Sequence, residues 1–165
     1  MGAVGHRRRG PSAVVAMLAS TVVAGCGLQI PTDPDRTLAQ VRATGELRVG
    51  VSPHPPFTTL PPAPGGEPGG DEVVLVRRFA EEQGAETLFV VDGEEALVTL
   101  LERGELDVMV GGLSSRSPWS TKVALTRPYT RTQEEGRTVK HVMAVVRGEN
   151  ALLSELERFL DEESS

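Results

Sequence analysis

Apolar and polar positions follow two rhythms along this chain. Leu38 and Val41 stand at i and i+3 within residues 37–44, which predicts a short amphipathic helix stopped by Gly45. Residues 47–51 alternate and read as a strand. Residues 54–70 are rich in proline and glycine and read as a loop whose 61–66 core is mobile. Residues 71–83 carry Val73, Val76, Phe79 and Ala80 on one helical face, with Asp71 as N-cap, Glu72 favourably placed on the helix dipole and Gly84 as the stop. A second strand spans 86–91, Asp92-Gly93 turns the chain, and a helix over 94–103 buries Ala96, Leu97, Leu100 and Leu101. A third strand covers 106–110. The order β-α-β-α-β predicts a parallel sheet with right-handed crossovers. Residues 111–119 then leave the carboxyl end of a parallel strand, where open α/β sheets place ligands. Beyond them come a short strand at 123–126, a polar stretch at 131–138 and a β-branched strand at 141–146. A last helix, 151–160, has Leu152, Leu153, Leu156, Phe159 and Leu160 as one inward stripe.

The first residues belong to a different pattern. His6-Arg7-Arg8-Arg9 precedes an apolar run over 13–24, broken only by Ser20 and Thr21, and small residues lead to Cys26. Basic start, apolar middle and small residues at the end make a secretory signal. The run falls short of the ~20 residues a membrane span needs. Arg9-Gly10-Pro11 lacks the apolar follow-up of a twin-arginine signal, which favours the general secretory route. The end of the run resembles a bacterial lipobox, and that resemblance implies cleavage before Cys26 and acylation of its thiol. The expected organisation is a signal peptide at 1–25, a lipidated cysteine and flexible tether at 26–36, and one domain at 37–165. Cys26 is the only cysteine, so no internal disulfide forms. Residues 1–25 hold three arginines and no acid, so the net charge of −6 becomes −9 once they are removed. An acidic surface argues against nucleic-acid partners.

The ordered set 45–51, Pro56-Phe57, Gly70 with its helix, Leu101-x-x-Gly104-x-Leu106-Asp107, Gly111-Gly112-Leu113-Ser114 and Thr126-Arg127-Pro128-Tyr129 resembles the family 3 extracytoplasmic solute-binding proteins of ABC importers. The resemblance implies an α/β fold, a mostly parallel sheet flanked by helices, equivalent to the first lobe of a type II periplasmic binding protein. It covers residues 37–129, and 139–162 look like the family's returning strand and helix. The family has a second lobe of most of a hundred residues after its Pro-Tyr motif. Here only 130–138 intervene, so the second lobe is absent and half a cleft is expected. The family's clasp arginine, ten residues before the motif tyrosine, is replaced by Trp119; Arg116 lies three residues earlier. Val74 stands where an acid often follows the glycine before the first long helix.

The resemblance puts Phe57 on an aromatic wall of the cleft, with packing as the plainer role. It makes Ser114 a binding hydroxyl whose neighbouring N–H groups could hold an anion, with a turn cap as the plainer role. Arg116 and Trp119 complete the candidate contacts, and Tyr129 reads as hinge packing. His54 and His141 show no metal-ligand spacing, and His141 reads as structural. Ser114, His54 and Asp107 form a triad on paper only, without a nucleophile-elbow signature. The acid pairs Glu94-Glu95 and Glu134-Glu135 read as solvated faces. Relatives of this architecture include a dehydratase and the front of a lytic transglycosylase. The expectation is nonetheless a non-enzymatic, cofactor-free binding lipoprotein for a small polar, amino-acid-like solute, outside the membrane and associated with an ABC permease or a second protein that closes the cleft. The alternative is an accessory lipoprotein that docks a protein partner in its half-cleft.

Overall fold

A computed structural model describes residues 1–2, 33–63 and 65–164. The signal-peptide and Cys26 expectations lie outside the described residues.

Helix α1 (Thr37–Thr44) leads into β1 (Glu46–Val51), then α2 (Asp71–Glu82), β2 (Glu86–Val91), α3 (Glu94–Glu102) and β3 (Val108–Val110). A 3₁₀ turn, Pro118–Thr121, precedes β4 (Ala124–Leu125). Strands β5 (Thr130–Glu134) and β6 (Arg137–His141), then β7 (Ala144–Val145) and α4 (Asn150–Glu163), complete the order. The main sheet runs β2-β1-β3-β7-β4. The β2, β1 and β3 strands are parallel, and β7 and β4 join antiparallel. The sheet is therefore mixed, with a parallel half that carries the two β-α-β crossovers.

Helices α1, α2 and α4 cover one face, where Val49, Val76, Phe79, Leu152 and Leu156 are wholly buried. Helix α3 covers the other, with Leu97, Leu101, Leu106 and Met109. Each such side chain contributes roughly 1.5–3 kcal/mol by leaving water. Polar groups close what the helices leave open. Glu149, just before α4, is 1% exposed and accepts the N–H groups of Asp35 and Thr37, both at 2.8 Å. A distant carboxylate thus serves the α1 N-terminus, whose own flanking residue Arg36 makes no side-chain cap. Asp107, equally buried, accepts Arg48 N–H at 2.8 Å and its guanidinium at 2.5 and 3.1 Å, tying β1 to the entry of β3.

Several local expectations change. On α3, Ala96 is exposed and Val98 is buried in its stead, and β3 begins at Val108 rather than at 106. Asp71 is the first helical residue and not the cap: Gly70 takes that place, at φ 107°, with no side-chain cap. The single strand expected over 141–146 is two strands, because β6 ends at His141 and β7 begins at Ala144. The polar stretch between Tyr129 and the sheet is not a bare connection. It is the hairpin β5–β6, in register from Thr130↔His141 to Glu134↔Arg137. Glu135 (φ 49°) and Gly136 (φ 76°) form its two-residue turn, left-handed at both positions, the geometry that suits the twist of a hairpin. The proline- and glycine-rich loop is pinned at its base by His54–Thr58 and Thr59–Gly69 bridges and by Thr58 Oγ1 donating to the Ser52 carbonyl.

Candidate functional site

Parallel β1 and β3 end side by side, Val51 opposite Val110, and both chains turn outward there. The loop after β3 is held from below by one side chain. Glu72, in the first turn of α2, is fully buried. Its Oε2 accepts the N–H groups of Gly111 (2.8 Å) and Gly112 (2.9 Å), and its Oε1 accepts the Tyr129 hydroxyl at 2.5 Å. Burial pushes the Glu72 carboxyl above its ordinary range, and the Gly112 N–H, the Tyr129 hydroxyl and the Gly111 N–H pull the other way. Burial and then the Glu72 charge push the Tyr129 phenol well up, so it remains a donor. Tyr129 is therefore a bonded strut as well as packing. Val74 is 55% exposed, on the solvent side of α2, so an acid there would face water; the buried carboxylate enters two residues earlier.

Above this loop lies a cavity of about 320 Å³, lined by His54, Glu94, Gly112, Leu113, Ser114, Ser117, Pro118, Glu134, Val139 and His141. Glu134 and Val139 belong to the hairpin. Where the sequence led to the expectation of half a cleft, the β5–β6 hairpin supplies a further wall to this cavity. A larger cavity of about 550 Å³, between α1 and the start of α4, shares no residue with these strand-end loops.

Of the four candidate contacts, Ser114 lines the cavity, and its Oγ accepts the Arg116 N–H at 3.3 Å. Phe57 is buried behind it, its ring 4.1 Å from that of His141 and 6.0 Å from that of His54. Arg116 is exposed, and its guanidinium bonds to no described group. Trp119 is half-buried on the 3₁₀ turn and donates from Nε1 to Glu94 Oε2 at 2.8 Å, which orients that carboxylate. Neither Arg116 nor Trp119 lines the cavity.

Four of the backbone N–H groups after β3 are already engaged within the protein. The N–H groups of Gly111 and Gly112 are taken by Glu72, that of Ser115 by the Lys140 carbonyl, and that of Arg116 by Ser114. His54 and Ser114 do share the cavity, but Asp107 is locked to Arg48 and lines none of it, so no triad assembles. Among the described residues no group of three His, Cys, Asp or Glu side chains is placed to hold a metal. Glu94, Glu134, His54 and His141 are the lining groups that sequence reasoning missed. The sequence held only a faint signal for Glu134: Gly136 supplies a turn glycine between segments that carry Thr130, Thr132, Thr138 and Val139.

A mixed sheet with three parallel strands and helices on both faces is the fold of one lobe of a periplasmic-type binding protein. The chain belongs to the bacterial extracellular solute-binding proteins, family 3, whose model matches residues 47–165. Among solved structures it is similar to the arginine-bound form of domain 1 from TmArgBP, at 26% identity and TM-score 0.66, over 74% of this chain and 97% of that one. It is also similar in fold to the ancestral amino acid-binding protein AncCDT-1, a precursor of cyclohexadienyl dehydratase (14% identity, TM-score 0.66, 76% and 92% covered). EhuB in complex with hydroxyectoine is a further fold neighbour (12% identity, TM-score 0.67, 77% and 86% covered). No curated protein matches.

Proposed function

We propose that this chain is an extracytoplasmic, lipid-anchored receptor for a small polar solute that carries a positive charge, that it serves an ABC-type importer, and that it catalyses no reaction. The observation that carries the reading is the cavity wall. Two carboxylates, Glu94 and Glu134, face it from opposite elements, and neither lysine nor arginine lines it. A cationic solute finds counter-charges there and hydroxyl partners in Ser114 and Ser117; an anionic one finds repulsion. Similarity to a domain seen with arginine bound supports the same class. Membership of an extracellular binding family supports the location. The hairpin covers the loops that a protein-docking reading leaves bare, so the solute reading is the better supported.

Thermal unfolding of the purified full chain tests this. Arginine, lysine and putrescine are expected to raise the midpoint by about 10 °C near a hundredfold excess over Kd, while glutamate and succinate leave it unmoved. Stabilisation by the acids alone would transfer the role to Arg116. No shift with any of them removes the receptor reading.

The anchor is tested separately. No described helix is long and apolar enough to cross a membrane. Cys26→Ser is therefore expected to move the processed protein from the membrane fraction to the soluble one. Continued membrane association would remove the lipid anchor from the proposal.

A further inference from the structure

The inner face of the hairpin meets the Gly112 loop through one unbroken chain of polar atoms. His141, 1% exposed, has Nδ1 3.3 Å from the Gly112 carbonyl oxygen and Nε2 2.7 Å from Thr132 Oγ1. Thr132 Oγ1 is in turn 3.0 Å from Glu134 Oε1, which also lies 3.5 Å from Nε2. Counting hydrogens decides what this chain demands. A carbonyl only accepts, so Nδ1 carries a hydrogen. That leaves two contacts, Nε2 with Oγ1 and Oγ1 with Oε1, and one hydroxyl hydrogen to serve them. With a neutral imidazole and an ionised Glu134, one of the two sets lone pair against lone pair. A single additional proton, on Nε2 or on Glu134, completes both.

We propose that His141, Thr132 and Glu134 form a proton-linked latch, which clamps the β5–β6 hairpin onto the Gly112 loop and closes the second wall of the cavity on uptake of one proton. The consequence for solute binding rests on the cavity being the solute site; the latch itself does not. Acidic groups stand around the latch, while the burial of His141 works against a charge there. Glu72 of α2 interacts electrostatically with His141 from below. Glu94 of α3 lines the same cavity, as does His54 of the loop after β1, with the Phe57 ring in contact with both imidazoles. On the hairpin, Arg137 lies across from Glu134 on the inner face, while strand alternation turns Arg131 and Lys140 outward. The sign follows. As pH rises and the shared proton leaves, one contact of the chain empties and the hairpin loosens. With the proton bound it is docked. Because Glu134 also faces the cavity, a solute cation that pairs with it competes with that proton.

Amide hydrogen exchange of residues 130–141 in the full chain, without ligand, reads the latch directly. Protection factors are expected to fall about tenfold from pH 5.5 to pH 8, alongside the imidazole ¹⁵N titration of His141. Glu134→Gln supplies the missing hydrogen from its own amide, so its hairpin is expected to stay protected with no pH step. The step should persist in His54→Gln. Protection that ignores pH in the natural chain, an unchanged step in Glu134→Gln, or a step lost in His54→Gln each overturns the latch. If the step is found and no solute binds, the latch stands and the receptor reading falls.

Discussion

Glu72→Ala is expected to destabilise the protein by about 4 kcal/mol and to abolish solute binding. The carboxylate is fully buried and is the partner of three donors: the Gly111 and Gly112 N–H groups and the Tyr129 hydroxyl. Alanine leaves these donors facing a void, and each orphaned group costs roughly 1–3 kcal/mol. The loop after β3 then loses the strut that presents Ser114 to the cavity. Glu72→Gln separates charge from geometry. Its amide oxygen still accepts both N–H groups and its NH₂ can donate to Tyr129, so it is expected to cost far less than alanine. It should also change the pH profile. Burial raises the Glu72 carboxyl in the folded state above its ordinary 4.5. The folded protein therefore holds that proton more tightly than the unfolded chain does. The stability this contributes is present below about pH 4.5 and is lost as pH rises through the raised folded value. Urea titrations across that window should show a loss in the natural protein that is missing from Glu72→Gln. A parallel loss in both would place the titration elsewhere.

Gly70→Ala is expected to cost a similar amount, about 4 kcal/mol, for a steric reason. Gly70 sits at φ 107°, ψ 168°, a region that residues with a Cβ almost never occupy. An added Cβ would lie 2.7 Å from the Phe57 carbonyl carbon and 2.8 Å from Thr58 Cα. Both are backbone atoms and cannot swing aside. The Phe57 carbonyl also accepts the Glu72 N–H at 3.0 Å, so relief of the clash displaces the buried carboxylate. Gly84→Ala is the control: φ is also positive, at 75°, but no atom lies within 4 Å of the new Cβ. It should cost about 1–2 kcal/mol, the left-handed strain alone. Equal urea midpoints for the two variants would refute the steric argument.

Much of the fold was legible because local signals agreed with one another. The i, i+3, i+4 spacing in α2 and α4, the alternation in β1 and the glycines after α1, α2 and α3 all specify elements within a dozen residues. Parallel order followed from the β-α-β succession. Two elements were misread for opposite reasons. The β-branched run over 141–146 looked continuous, yet Val142 and Met143 lie between strands that pair with different partners, a fact no periodicity carries. The hairpin looked like a connection because Arg, Gln, Glu and Lys dominate it; its inner face carries Thr130, Thr132 and Val139 but also Glu134, Arg137 and His141, so no apolar alternation marks it.

The site was less legible. Ser114 was named from the family resemblance, in the loop that leaves the third parallel strand, and it lines the cavity. Glu94 and Glu134 were read as solvated because an acid beside another acid on a surface element usually is. They line a cavity only because the 3₁₀ turn brings Trp119 to Glu94 and the Glu135-Gly136 turn folds β5 back over the loop.

The sequence alone determined the α/β order, the family resemblance, the absence of room for a second lobe and the expectation of an exported chain with Cys26 at its lipobox. These rest on spacing and composition, which are local in the chain. Tertiary structure decided which carboxylate is buried, that Arg116 stays in solvent, and that a hairpin stands as the second wall. Each of these depends on residues far apart in sequence: Glu72 and Gly111 are 39 positions apart, Glu149 and Thr37 are 112. Contacts of that separation are set by packing the whole sheet, and no window along the chain contains them.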